Sequence, residues 1–219
     1  MNKLFYITDP MCSWCYAFKG VLQQLRQRLP EQLEFITLLG GLATDTDSLM
    51  PIEMQQQLQA TWQRIEKKVP GIQFNYDFWK PGQSSSPPRR STYPACRAVI
   101  AAHAFDNQHN FDNEHYYREL MIEAIQTAYY QQARNPSDDS TLITLAGQIG
   151  LDEPLFQSRL KSNETEQELQ RQIALSRQLN ANSYPSLVLQ TGGSFWPISI
   201  DYTSPEPILQ SINTLLDFE

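Results

Sequence analysis

The sequence predicts an α/β fold whose sheet is built by the two ends of the chain, with a large all-helical insertion between them. Three observations carry this. The chain opens strand–helix–strand, the apolar period from about 48 to 162 is helical nearly throughout, and strands return only after Pro185. With 219 residues, 41% of them hydrophobic and 19% charged, the chain can bury a sizeable core without cross-links. The expected division is a sheet domain of residues 1–42 with 163–219, and a helical insertion of 43–162.

Residues 3–8, KLFYIT, form a continuous apolar run and read as a buried strand, closed by Asp9-Pro10. A helix follows over 13–29, because Phe18, Leu22, Leu25 and Leu29 fall on one face and Pro30 stops it. Residues 33–39, LEFITLL, are a second strand, ended by Gly40-Gly41. The two strands enclose a helix, so they should be parallel. In the middle, Met54, Leu58, Trp62, Ile65 and Val69 make one helical stripe, and Tyr117, Leu120, Met121, Ala124 and Ala128 another. The stretch PGQSSSPPRR, 81–90, is a loop. A polar helix over 164–180 leads to a strand at 186–190, a turn at Thr191-Gly192-Gly193-Ser194 and a returning strand FWPISI. Pro197 places that last strand at a sheet edge. The final helix is capped by Ser204, with Pro205 in its first turn and Ile208, Ile212 and Leu215 on its apolar face.

The net charge of −7 and the absence of a basic stripe argue against a nucleic-acid partner. The first ten residues, MNKLFYITDP, lack the longer apolar region of a secretory signal, and no run of about 18 apolar residues is present. The expectation is a cytoplasmic protein without a membrane partner. Three cysteines are too few for a disulfide framework, so in a reducing compartment Cys12-Ser13-Trp14-Cys15 points to thiol chemistry or metal binding.

On the predicted helix, Cys15 shares the apolar face and points inward, while Cys12 lies at the N-terminus. Unpaired N–H groups and the partial positive charge there favour a thiolate. Cys12 is therefore the expected exposed nucleophile and Cys15 the shielded resolving thiol, close enough to form a disulfide. Zinc would need two further ligands from Cys96, His103, His109 and His115, and the six-residue spacing of the histidines does not put them on one helix face. No metal is expected. Cys96, with Val99, Ile100 and His103 on one face, reads as a packed thiol beside a satisfied histidine, with a groove wall as the other reading. Trp14 and Tyr16 offer aromatic contact to a substrate or simply pack. Pro185 precedes a strand of the same sheet. If its peptide bond were cis, the backbone of Tyr184 would be free to pair with an extended peptide.

The elements DPMCSWCYAF (9–18) and SYPSLVL (183–189) resemble the DsbA-like branch of the thioredoxin superfamily. The resemblance implies a thioredoxin fold with a helical insertion and a thiol–disulfide oxidoreductase. It implies that Cys12 is the nucleophile, Cys15 the resolving thiol, Pro185 a cis-proline, and that Ser13, Trp14 and Tyr184 border the substrate. Asp9, three residues before Cys12, is either a turn residue or a proton relay to the resolving thiol, and the turn reading is favoured. The dipeptide Ser13-Trp14 lacks the histidine that strongly oxidising secreted members carry. This implies a milder protein, a reductase or isomerase acting on protein or peptide disulfides. No cofactor is implied beyond glutathione as a redox partner. The alternative is a glutathione-dependent transferase or isomerase of the kappa and hydroxychromene-carboxylate type, with Arg89-Arg90 on the glutathione carboxylates. A binding module with an inert CxxC is a third reading.

Overall fold

The central strand is β1, Lys3–Thr8, buried at every position after the first. Continuous burial requires cover on both faces, and the sequence supplies it. In the computed structural model, which describes residues 2–106 and 116–217, β1 pairs in parallel with β2, Glu34–Leu39, and antiparallel with β3, Ser186–Thr191. The edge strand β4, Ser194–Ile198, completes the order β2-β1-β3-β4 among the described residues. Alternate residues of β1 point to opposite faces. Leu4 and Tyr6 join Phe18, Val21 and Leu25 of α1, Ser13–Arg26, and Ile208 and Ile212 of α8, Glu206–Asp217. Phe5 and Ile7 pack with Leu38, Val188 and the end of α7, Asn163–Gln178.

The insertion contains α2, Ile52–Lys68; α3, Tyr93–Asp106; α4, Tyr116–Tyr130; α5, Asp139–Gln148; and α6, Glu153–Leu160. Trp62 of α2 anchors its core, stacking on Phe74 at 4.7 Å between ring centres, with Tyr130 edge-on at 5.6 Å. The predicted stripes largely face this core, although Met54 and Leu58 are only half-buried where α2 begins. α7 touches both α3 and β2, so it joins the helices to the sheet.

Several boundaries move. The first helix ends at Arg26 rather than at 29, because Arg28 N–H turns to the Leu25 carbonyl in a tighter bond. Pro30 disfavours a helical residue before it, and Leu29 still packs beside the core. β2 starts at Glu34, one residue later than read. α8 starts at Glu206, but Ser204 keeps its capping role, its hydroxyl accepting from Glu206 N–H at 3.2 Å. The hairpin turn has left-handed backbone at both Gly192 (φ 56°) and Gly193 (φ 76°), the geometry of a tight two-residue turn. Pro197 stands on the edge strand, opposite Val188. The Pro/Ser loop is anchored rather than loose: Ser86 and Arg89 both bond Asp138, and Asn135 reaches Ser86 and the Pro87 carbonyl.

Phe18 is fully buried between Tyr6, 6.1 Å away, and Tyr202, 6.0 Å away. Phe18→Ala should cost about 3–5 kcal/mol in chemical denaturation, the usual penalty for emptying a buried phenylalanine site.

Candidate active site

The turn between β1 and α1 sets both thiols. Asp9 makes it: its carbonyl accepts from Cys12 N–H at 3.0 Å and its carboxylate from Met11 N–H at 2.8 Å. Cys12 then occupies the N-cap of α1 in extended conformation (φ −85°, ψ 116°), and its carbonyl takes the first helical bond, from Tyr16. Its side chain caps nothing. The thiol instead donates, at 3.4 Å, to the Tyr184 carbonyl, which belongs to the cis Tyr184–Pro185 peptide bond. Cys12, expected to be exposed, is itself buried at 7% exposure with its thiol against the Tyr184 carbonyl, and Cys15, one turn on, is 1% exposed. Both thiols are free.

The two differ in acidity for local reasons. A hydrogen bond from the Cys15 thiol holds the Cys12 thiol below the ordinary value. Backbone N–H groups of Cys15 and Trp14 at the helix terminus add to this; burial and the Asp9 charge oppose it. Burial pushes Cys15 well up, and its bond to Cys12 pushes it further. The pair therefore ionises at Cys12, with Cys15 as proton donor.

Tyr184 is held by its own ring. Its hydroxyl donates to the Gly40 carbonyl at 2.7 Å, and a Cβ on Gly40 would lie 2.1 Å from the ring. The glycine read as a strand terminator is thus the floor under Tyr184. The Tyr184 carbonyl expected to face a peptide carries the Cys12 thiol here.

Asp9 is fully buried, and its carboxylate also accepts from Leu42 N–H at 2.7 Å, the Thr92 hydroxyl at 2.6 Å and the Cys96 thiol at 3.6 Å. It fills the turn role and reaches well beyond it. None of the hydrogen bonds described for its carboxyl goes to Cys15. Burial raises its pKa, and the four donors partly offset this. Cys96 is the packed thiol expected, driven well above the ordinary range by burial and by the Asp9 charge. His103 bonds Asp106 at 2.9 Å, while His109 and His115 lie outside the described residues.

Ser13 and Trp14 are half-buried beside the thiols. Trp14 packs on Tyr202 at 4.8 Å, and the Lys68 ammonium lies 5.7 Å and 5.3 Å from the two ring centres. Tyr16 belongs to the core: it stacks on Tyr130 at 4.6 Å and its hydroxyl accepts from Gln131. Sequence reasoning missed Tyr202, Lys68 and Thr92. Tyr202 and Thr92 adjoin Ser/Thr-rich turns and Lys68 ends a charged helix, so nothing local marks them. Arg89, offered for glutathione, is taken by Asp138.

A dithiol at a helix N-terminus, facing a cis-proline on a four-stranded mixed sheet, is the arrangement of a thiol–disulfide oxidoreductase of thioredoxin fold. The chain belongs to the DSBA-like thioredoxin domain family, whose profile matches residues 5–202. Among solved structures it is similar to a candidate protein disulfide isomerase from Nitrosomonas europaea, with 25% identity, 100% of this chain and 98% of the other covered, and a TM-score of 0.81. It is also similar to the cytosolic disulfide reductase DsbM of Pseudomonas aeruginosa (21%, 99% and 100%, 0.73) and more distantly to DsbA of the same organism (14%, 100% and 83%, 0.57). No curated protein matches it in sequence.

Alkylation of the reduced protein by iodoacetamide, followed by peptide mass analysis, should label Cys12 with a pH midpoint below that of an ordinary thiol and leave Cys15 and Cys96 unlabelled. The shift also feeds stability of the reduced form. With the folded pKa of Cys12 depressed, its contribution is present above the unfolded thiol pKa and is lost as pH falls through the folded one. Asp9→Asn should move the labelling midpoint further down, since the Asp9 charge opposes the thiolate. With its oxygen in place of Oδ2, the amide N–H2 would face Met11 N–H, at a stability cost of about 1–3 kcal/mol.

Proposed function

We propose that this protein is a disulfide reductase or isomerase that works through the Cys12–Cys15 dithiol. The observation that carries the reading is the asymmetric pair: a Cys12 thiol of lowered pKa at a helix terminus, beside a Cys15 thiol held protonated. The Cys12 thiolate attacks one sulfur of a protein or peptide disulfide, forms a mixed disulfide and expels the other sulfur as thiolate. Cys15 then loses its proton and attacks Cys12, forming the Cys12–Cys15 bond and releasing the reduced substrate. The two electrons gained by the substrate come from the dithiol.

What stabilises the thiolate supports the reducing direction. An oxidising dithiol needs a strongly stabilised reduced form. Here the main stabiliser is Cys15 itself, while burial and Asp9 work against it. The likeness to a cytosolic disulfide reductase and to a candidate isomerase supports the same direction and a cytoplasmic setting. DsbM has also been solved with GSH, which supports glutathione as the thiol that returns the dithiol to its reduced form. Ser13, Trp14 and Tyr184 border the attacked disulfide, and Asp9 acts as a positioning residue for the turn that carries Cys12. The glutathione-transferase reading is less well served, because Cys15 adjoins Cys12 and would displace an adduct held there.

A redox titration in glutathione buffers, with free thiols trapped and counted by intact mass, should show one reversible two-electron transition that disappears in Cys15→Ser. A midpoint near about −120 mV, the range of a strong oxidant, would overturn the reductase reading. A stable glutathione adduct at Cys12 without a Cys12–Cys15 bond would overturn the dithiol mechanism.

A further inference from the structure

Behind the dithiol, Cys15 is reached from a second side. A cavity of about 630 Å³ lies between α1, β1, β2 and α4. Cys15, Thr8 and Tyr6 line its buried part, and the exposed residues Lys19, Gln23 and Gln27 line its mouth. Cys12 does not line it. Tyr6 and Thr8 are two apart on β1, so their side chains share one strand face. That face packs on α1, as the 6.1 Å separation of the Tyr6 and Phe18 rings shows.

The resolving step needs Cys15 to lose a proton while 1% exposed. A buried thiol without an acceptor does this slowly. The Asp9 carboxylate accepts from Met11, Leu42, Thr92 and Cys96. Across the cavity, Glu119 and Glu123 are paired with Arg26 and Lys19, and the Arg118 guanidinium donates to the Thr37 carbonyl. The other titratable groups near Cys15 are Cys12, Tyr6, Tyr130 and Tyr202, the tyrosines all held neutral by burial. What remains beside the thiol is a hydroxyl pair that opens onto a solvent-connected cavity.

We propose that the Thr8 hydroxyl, backed by Tyr6, carries the Cys15 proton into this cavity during the resolving step. Thr8 acts on both partners, lowering the pKa of Cys15 and that of Tyr6. As Cys15 attacks, its proton passes to Thr8 Oγ1 while Thr8 releases its own to Tyr6 Oη, which in turn gives its phenolic proton to cavity water. The Cys15–Cys12 bond forms, the Cys12–substrate bond breaks, and the substrate leaves as thiolate, to be protonated by solvent. Thr8 and Tyr6 end as they began, and the proton lost by Cys15 ends in the cavity water. The proposal rests on the dithiol reading above, and its test separates the two.

The probe is 5,5′-dithiobis(2-nitrobenzoate), followed by stopped-flow against pH. Attack by Cys12 releases one 2-nitro-5-thiobenzoate, and resolution by Cys15 releases a second. Thr8→Val should leave the first release unchanged and slow the second by about tenfold or more, with its pH midpoint raised. Thr8→Ser should restore it. Tyr6→Phe, which keeps the ring in the core, should slow the second release by a few-fold and raise its midpoint, so a poorly folding Thr8→Val does not leave the question open. A second release with wild-type rate and pH profile in Thr8→Val or in Tyr6→Phe would overturn the proton path. A slowing of both releases together, without rescue by Thr8→Ser, would also overturn it, as a packing effect. A single release in the wild-type protein would overturn the dithiol reading and the proton path with it.

Discussion

The Asp9 carboxylate is the constraint on which the site depends. A charge buried this completely survives only when its lone pairs are filled. Here the fillers come from three separate stretches: Met11 beside the dithiol, Leu42 after β2, and Thr92 with Cys96 at the start of α3. The sheet, the active-site turn and the helical insertion are thereby fixed to one another at a single pair of oxygens. The same charge opposes the thiolate at Cys12. One group sets the geometry of the turn and limits how far the pKa of the thiol it carries is lowered.

The difference between the two cysteines needs no charged neighbour. It follows from a helix terminus, one hydrogen bond and unequal burial. Cys12 gains N–H groups because it stands where the helix has not yet begun to use its own. Cys15 has a backbone hydrogen bond at Asp9, but its deeper burial outweighs it. The residues around the pair divide in the same way. Trp14 and Tyr202 form an aromatic shelf under the Lys68 ammonium, while Tyr16, next in sequence to Cys15, is drawn into the Trp62–Phe74–Tyr130 core of the insertion.

Much of this was legible from the chain alone. The continuous run LFYI announced a strand covered on both sides, and the spacing of Phe18 and Leu25 placed Cys15 inward. The pair of glycines at 192 and 193 gave the hairpin its turn. The cis bond at Pro185 came only with the family resemblance, since an X-Pro pair by itself leaves the trans form as the base rate. What could not be read are contacts made across long stretches of sequence by ordinary residues. Gly40 looked like punctuation and proves to be the space occupied by the Tyr184 ring. Asp9 looked like a turn residue because, of the bonds to its carboxylate, only that from Met11 is local. Helix ends shifted by a few residues where a tighter last turn or a proline decided the final bond.

The contact between the Cys12 thiol and the Tyr184 carbonyl joins residues 172 apart. A ribosome working at about 5–20 residues per second needs roughly 9–34 s to cover that distance. During synthesis the strand and helix bearing the dithiol are therefore made long before β3 arrives to shield them. The nascent chain carries an unshielded CxxC until β3 is made, and its redox surroundings during those seconds decide the state in which the finished sheet closes over it.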